Sequence, residues 1–195
     1  RNCSPRPITL LCGSLPPGAP ADFYAELSCM AREAGVLAVI DASGEGLRLG
    51  VEKGCPFMIK CNRSELAELT GRPLDDPDDL KKVVTRLSLR TGALVVITLG
   101  RSGAIAADGE CFWTAEAPPI QAISAVGSGD AFLAGLLTGF RTGASFDECL
   151  RLAVAAGSAN ALQLGAGRLR REDVEALRGQ VRVRKEHAGH SDQTN

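Results

Sequence analysis

The sequence predicts an α/β fold: a layered arrangement with a mainly parallel central sheet flanked by helices. Three observations carry that expectation. Short apolar runs rich in Val, Ile and Leu recur along the 195 residues, and stretches with helical spacing separate most of them. The run Leu94-Val-Val-Ile-Thr98 is continuous and β-branched, as in a strand buried on both faces. Polar and catalytic residue types fall just beyond the ends of such runs, where ligands sit in sheets of this kind.

Taken in order, Ile8–Cys12 reads as a strand, ended by the turn Gly13-Ser-Leu-Pro-Pro-Gly18. Residues 20–34 read as a helix, with Phe23, Leu27 and Met30 at helical spacing. Residues 37–40 predict a second strand with Asp41 at its end, and residues 57–60 a third. A short helix over 63–70 closes at Gly71 and Pro73, and another helix covers 76–90. After the strand 94–98, residues 104–107 and 111–115 predict a hairpin turning at Asp108-Gly109. Helices over about 130–142, 146–163 and 171–178 follow, and residues 180–195 read as a polar, disordered tail.

Composition narrows the function. The net charge of −1 argues against nucleic acid or an anionic membrane as partner. Six Phe, one Tyr and one Trp leave little for stacking on bases. Both histidines, His187 and His190, lie in the polar tail, which argues against a histidine triad. The seven cysteines show no zinc spacing and are expected as buried, reduced thiols of a cytoplasmic protein. No apolar run reaches the length of a membrane span. The chain opens without Met and reaches a strand within eight residues, so a fragment of a longer protein is expected.

Val126-Gly-Ser-Gly-Asp130 is the most informative stretch. Its glycines let successive amides converge, and the following helix adds a positive end worth about half a charge. It is neither a dinucleotide fingerprint nor a Walker loop, because Phe132 stands at the third glycine and no Gly-Lys pair occurs. An ordinary helix N-terminus with Asp130 favoured by the dipole is the alternative. In Lys60-Cys-Asn-Arg-Ser-Glu65, Asn62 and Glu65 have the spacing of a capping box, and also suit the shell of a hydrated magnesium ion. Thr98-Leu-Gly-Arg-Ser-Gly103 ends a strand in a glycine turn with donors for a phosphate, or simply connects strand to hairpin.

Six segments, GSLPPG, VIDASGEGL, KCNRSELAELTG, ITLGRSGA, AVGSGDAFLAG and AAGSANAL, stand in an order that resembles the ribokinase-like (PfkB) sugar kinases, in their hexose-phosphate branch. The resemblance runs from about residue 8 to 178 and leaves the family's N-terminal third, with its lid, unmatched. It implies a kinase portion over residues 1–179 that moves the γ-phosphoryl of ATP, with Mg2+, to a hexose phosphate. Fructose 1-phosphate is the first expected acceptor, with tagatose 6-phosphate or fructose 6-phosphate, or a non-catalytic binding remnant, as alternatives.

The resemblance also implies roles. Asp130 matches the catalytic base, and Gly127, Ser128 and Gly129 the anion hole. Thr98, Gly100 and Gly103 match the nucleotide turn, Lys60 a phosphate contact and Asn160 the adenine-pocket region. Asp41, Asn62 and Glu65 match residues tied to the metal, and Ser14 a contact to the sugar's phosphate. Cys61 and Ala125 depart mildly from the pattern. The parent is expected as a homodimer, and the isolated chain as poorly soluble and inactive on sugars.

Overall fold

The structure is a computed structural model that describes residues 6–187. Seven strands are hydrogen-bonded in sequence order: β1 (Ile8–Cys12), β2 (Leu37–Asp41), β3 (Met58–Asn62), β4 (Leu94–Thr98), β5 (Ala104–Ala107), β6 (Cys111–Glu116) and β7 (Arg182–His187). The pairs β1–β2 and β2–β3 are parallel. Seven helices accompany them: α1 (Phe23–Glu33), α2 (Gly44–Lys53), α3 (Arg63–Thr70), α4 (Pro77–Thr91), α5 (Ser128–Arg141), α6 (Phe146–Ala161) and α7 (Arg171–Arg178). The expected α/β class is the observed one. By contacts the described residues form two compact units, one of residues 6–97, 106–112 and 186–187, the other of residues 98–105 and 113–185.

In the first unit, Val39 and Ile40 of β2, Met58 and Ile59 of β3, and Val95–Ile97 of β4 have no exposed surface. Each such aliphatic side chain contributes about 1.5–3 kcal/mol on burial. The helices carry their own signals. Asp76 caps α4 by accepting from the Asp79 amide at 2.8 Å, and Pro77 follows at the first helical position. Gly71 and Gly92 end α3 and α4 in the left-handed conformation.

Helix α2 corrects the sequence expectation, which passes from the second strand to the third without a helix. Its Gly44, Gly46 and Gly50 lower helix propensity by roughly 1 kcal/mol each. Packing overrides propensity here. A Cβ on Gly50 would stand 2.8 Å from Ile40 Cδ1, so glycine lets α2 pack on β2 without displacing the end of the Ile40 side chain. Arg48, bridging Glu45 and Glu52 at 2.6 Å each, supports its outer face.

Two further expectations are corrected. The tail was expected disordered from residue 180, yet residues 182–187 form β7; residues 188–195 lie outside the described residues. Its Arg-Val-Arg-Lys-Glu-His composition suits a charged strand at the end of a sheet. Arg184 pairs with Glu116 at 3.6 Å, and Glu186 with Lys81. Cys29 of α1 and Cys55 beyond α2 form a disulfide, with Cα atoms 4.8 Å apart, where reduced thiols were expected. The packing of α1 against α2 brings them together, and their separation of 26 residues carries no motif. Cys61, Cys111 and Cys149 are buried thiols outside any disulfide, as expected; Cys12 is also outside any disulfide but exposed.

The second unit centres on α5 packed against α6. Gly135 and Gly139 form the contact face of α5: an added Cβ would lie 2.8 Å from the Leu152 carbonyl and 2.8 Å from Cys149 Sγ respectively. Trp113 meets Phe146 edge-on at 4.7 Å between ring centres, and its indole N–H donates to Asp147 at 2.9 Å. The glycines yield a prediction. Alanine at position 135 improves helix propensity by about 1 kcal/mol, but overpacking against backbone costs roughly 1–3 kcal/mol. Gly135→Ala is expected to lower the urea midpoint; an unchanged or higher midpoint would mean the helices separate freely.

Candidate functional site

Within the first unit, register assembles one cluster. Parallel pairing sets Cys12 beside Asp41, the last residues of β1 and β2, and Asp41 beside Lys60 in the middle of β3. The Lys60 ammonium donates to both Asp41 oxygens, at 2.9 and 2.8 Å. The two side chains are only 7% and 11% exposed. A pair this dry must be hydrogen-bonded to persist, because either charge alone would be expensive to bury. Lys60, expected at a phosphate, and Asp41, expected near a metal, are therefore brought together as each other's partners.

The turn after β1 is tied to the same end of the sheet. The Gly13 amide donates to the Asp41 carbonyl at 2.9 Å. Tyr24, nearly buried on α1, donates its hydroxyl to the carbonyls of Cys12 (2.8 Å) and Gly13 (3.3 Å). Burial of the phenol, with a smaller contribution from Cys12, pushes its pKa above the ordinary tyrosine value. Ser14 follows on the exposed side of this turn. The sequence reading did not single out Tyr24. Its only signal is that it is the sole tyrosine, set in a helix beside the turn.

Asn62 and Glu65 form a complete capping box on α3. The Glu65 amide donates to Asn62 Oδ1 at 2.9 Å, and the Asn62 amide donates to Glu65 Oε2 at 2.7 Å. Leu66 is fully buried beneath. No cluster of three His, Cys, Asp or Glu among the described residues could hold a metal. The fit that remains is to a hydrated magnesium ion. Glu65 is half-exposed and its other oxygen has no partner among the described residues, so it can accept from metal-bound water.

Within the second unit lies the glycine loop. Gly127 adopts φ +77°, and an added Cβ would sit 2.8 Å from Ala166 Cα and the Gly167 amide nitrogen. Only glycine meets both demands. Ser128 opens α5 two residues before the expected start; its amide donates to the Ala125 carbonyl at 3.1 Å. The Gly129 and Asp130 amides have no acceptor among the described residues, as the first turn of a helix requires. Asp130 is exposed, and its carboxylate has no ion pair or hydrogen bond among the described residues.

Asn160 braces this loop. Its side chain is fully buried on α6 and donates to the Val126 carbonyl at 2.8 Å and to Ser128 Oγ at 3.2 Å. Its Oδ1 has no hydrogen-bond partner among the described residues. Asn160, expected in the adenine-pocket region, thus lies beneath the glycine loop. In the same unit Thr98 leads into a short 3₁₀ turn over Gly100–Ser102, closed by the Leu99 amide on the Gly103 carbonyl at 2.8 Å. Gly100 has φ +58°, and Gly103 lies so close to the Ala115 carbonyl that a Cβ would sit 2.0 Å from it.

The model of the pfkB family carbohydrate kinases matches residues 2–172. The chain belongs to that family. It is 33% identical over 172 residues to the ATP-dependent 6-phosphofructokinase isozyme 2 of Escherichia coli, covering 87% of this chain and 55% of the relative. It is 30% identical over 178 residues to the tagatose-6-phosphate kinase of Staphylococcus epidermidis, covering 90% and 57%. Among solved structures, the phosphofructokinase-2 of Escherichia coli superposes with a TM-score of 0.84 at 32% identity, over 89% of this chain and 56% of that one. The chain thus spans a little over half the length of the curated pfkB relatives it matches.

The dry ion pair generates the test for this part of the fold. Lys60→Met leaves Asp41 buried without its cation, and stability is expected to fall by about 3–5 kcal/mol in urea denaturation. The double variant Lys60→Met/Asp41→Leu should recover most of that loss. Equal costs for the single and double variants would show that the pair is not coupled.

Proposed function

We propose that this chain is the nucleotide-binding, C-terminal portion of an ATP-dependent hexose-phosphate kinase. The observation that carries the reading is Asp130: an unpaired, exposed carboxylate directly behind two open amides at a helix N-terminus. Phosphate belongs at the amides and a proton acceptor belongs beside it. In the reaction proposed, the acceptor hydroxyl gives its proton to Asp130 while its oxygen attacks the γ-phosphorus, and ADP departs with the bridging oxygen. Of the Gly127–Gly129 loop expected as anion hole, the Ser128 amide is held by the Ala125 carbonyl. The open amides of Gly129 and Asp130 therefore stabilise charge on the transferred group, and preorganised donors of this kind are usually the largest catalytic contribution.

Thr98, Gly100 and Gly103 are proposed for the nucleotide, and Ser14 for the sugar's existing phosphate. Magnesium bound with ATP would neutralise phosphate charge, with Glu65 and Asn62 reaching it through water. Both named relatives carry hexose 6-phosphates in their names, which favours fructose 6-phosphate or tagatose 6-phosphate over fructose 1-phosphate. A cytoplasmic setting and a homodimeric parent remain part of this reading. No helix among the described residues is long and apolar enough to cross a membrane.

Asp130→Asn, in the longest chain the gene encodes, is expected to lower kcat by about 10²–10⁴-fold and to leave the ATP KM nearly unchanged. Near-normal turnover would remove Asp130 from the role of base, and nucleotide binding without turnover in the unsubstituted protein would favour a binding remnant. A second variant separates cap from metal. Gln retains the capping box, so Glu65→Gln should unfold at the same urea concentration while its apparent magnesium requirement rises. Unchanged magnesium dependence would confine Glu65 to its cap.

A further inference from the structure

A groove of about 390 Å³ opens in the first unit, away from the residues discussed so far, lined by Thr70, Arg72, Val83, Arg86, Leu87 and Arg90. Its α4 wall is set by helical spacing. Residues 83, 86, 87 and 90 share one face, and two are apolar and two cationic. Val83 and Leu87 are nearly buried and make the floor. Arg86 and Arg90 are exposed and rise from it.

The charges are not balanced. Arg72 pairs with Asp79 at 3.1 Å. Arg86 and Arg90 have no ion pair or hydrogen bond among the described residues, although other arginines of this unit do. Lys82 precedes Arg86 by four residues, so three cations follow one another at single-turn spacing. Like charges at that spacing destabilise a helix. Arg90 gains a little from the helix dipole at the last turn; Arg86 does not. A repeated guanidinium over a concave apolar floor, uncompensated by the chain itself, is complementary to an anion that brings its own oxygens.

We infer that the α3–α4 groove is a second anion-binding site, distinct from the glycine loop, that takes the diphosphate group of a small molecule. The two guanidinium forks stand one turn apart, with Cβ atoms about 5–6 Å from each other, and can grip adjacent phosphoryl groups. The Val83–Leu87 floor gives an attached organic body a place to rest.

Arginine-selective dicarbonyl labelling of the native chain, read peptide by peptide in a mass spectrometer, tests this directly. Inorganic pyrophosphate is the first probe and ADP the second. Arg32, exposed on α1 outside the groove, is the internal control. Pyrophosphate is expected to slow modification of Arg86 and Arg90 about fivefold or more, and to leave Arg32 unchanged, as two cooperating charge-assisted contacts require. In Arg86→Ala, protection of Arg90 should disappear. Protection by ADP at lower concentration than pyrophosphate would identify a nucleotide seated on the floor, and equal protection the diphosphate alone. The inference is overturned if neither probe protects Arg86 and Arg90 more than Arg32, or if Arg90 stays protected without Arg86.

Discussion

The buried side chain of Asn160 is the interaction on which the proposed chemistry depends. A helix N-terminus offers amides to an anion only if the loop before it is held open. Here the loop is held from beneath: the Asn160 amide group reaches both the Val126 carbonyl and the Ser128 hydroxyl. It can do so because α6 packs directly on α5, along a seam where Gly135 and Gly139 leave no room for a Cβ. Gly127 completes the arrangement by turning left-handed against Ala166. Close helix packing thus becomes pre-aligned donors, with Asp130 standing free beside them.

The first unit uses a different device. There the strand ends are fixed by register, and register converts residues far apart in sequence into a dry ion pair. Asp41 and Lys60 hold β2 to β3 at the end where α3 begins. The capping box at Asn62 then sets the direction of α3. This gives Lys60 and Asp41 a structural reason to be present that does not require ligand. Their neighbours Ser14 and Glu65 remain open to one.

What was legible in the sequence follows from locality. The strands are written as apolar runs, and the caps of α3 and α4 as short polar signals read over three residues. The glycine loop and Asp130 are adjacent, so their pairing is visible without a fold. Features that need two distant segments were not visible. The Lys60–Asp41 pair depends on parallel register across 19 residues, and the Cys29–Cys55 disulfide on how α1 meets α2. Helix α2 was hidden because the glycines that let it approach Ile40 also argue against a helix. Strand β7 was hidden because a charged sheet edge looks like a tail. Asn160 was found only through its resemblance, and its burial gives it a role that the resemblance did not supply.

The most direct measurement is steady-state kinetics of Asn160→Ala in the longest chain the gene encodes, beside its urea unfolding. Losing the brace leaves the Val126 carbonyl unsatisfied, which costs about 1–3 kcal/mol, so the variant should still fold. If the loop works by being held in place, kcat should fall by roughly a hundredfold at saturating ATP, because small misplacements of reacting groups cost that much. The KM for the sugar phosphate should barely move. A folded variant with unchanged kcat would contradict the account, because the amides of Gly129 and Asp130 would then need no support from α6.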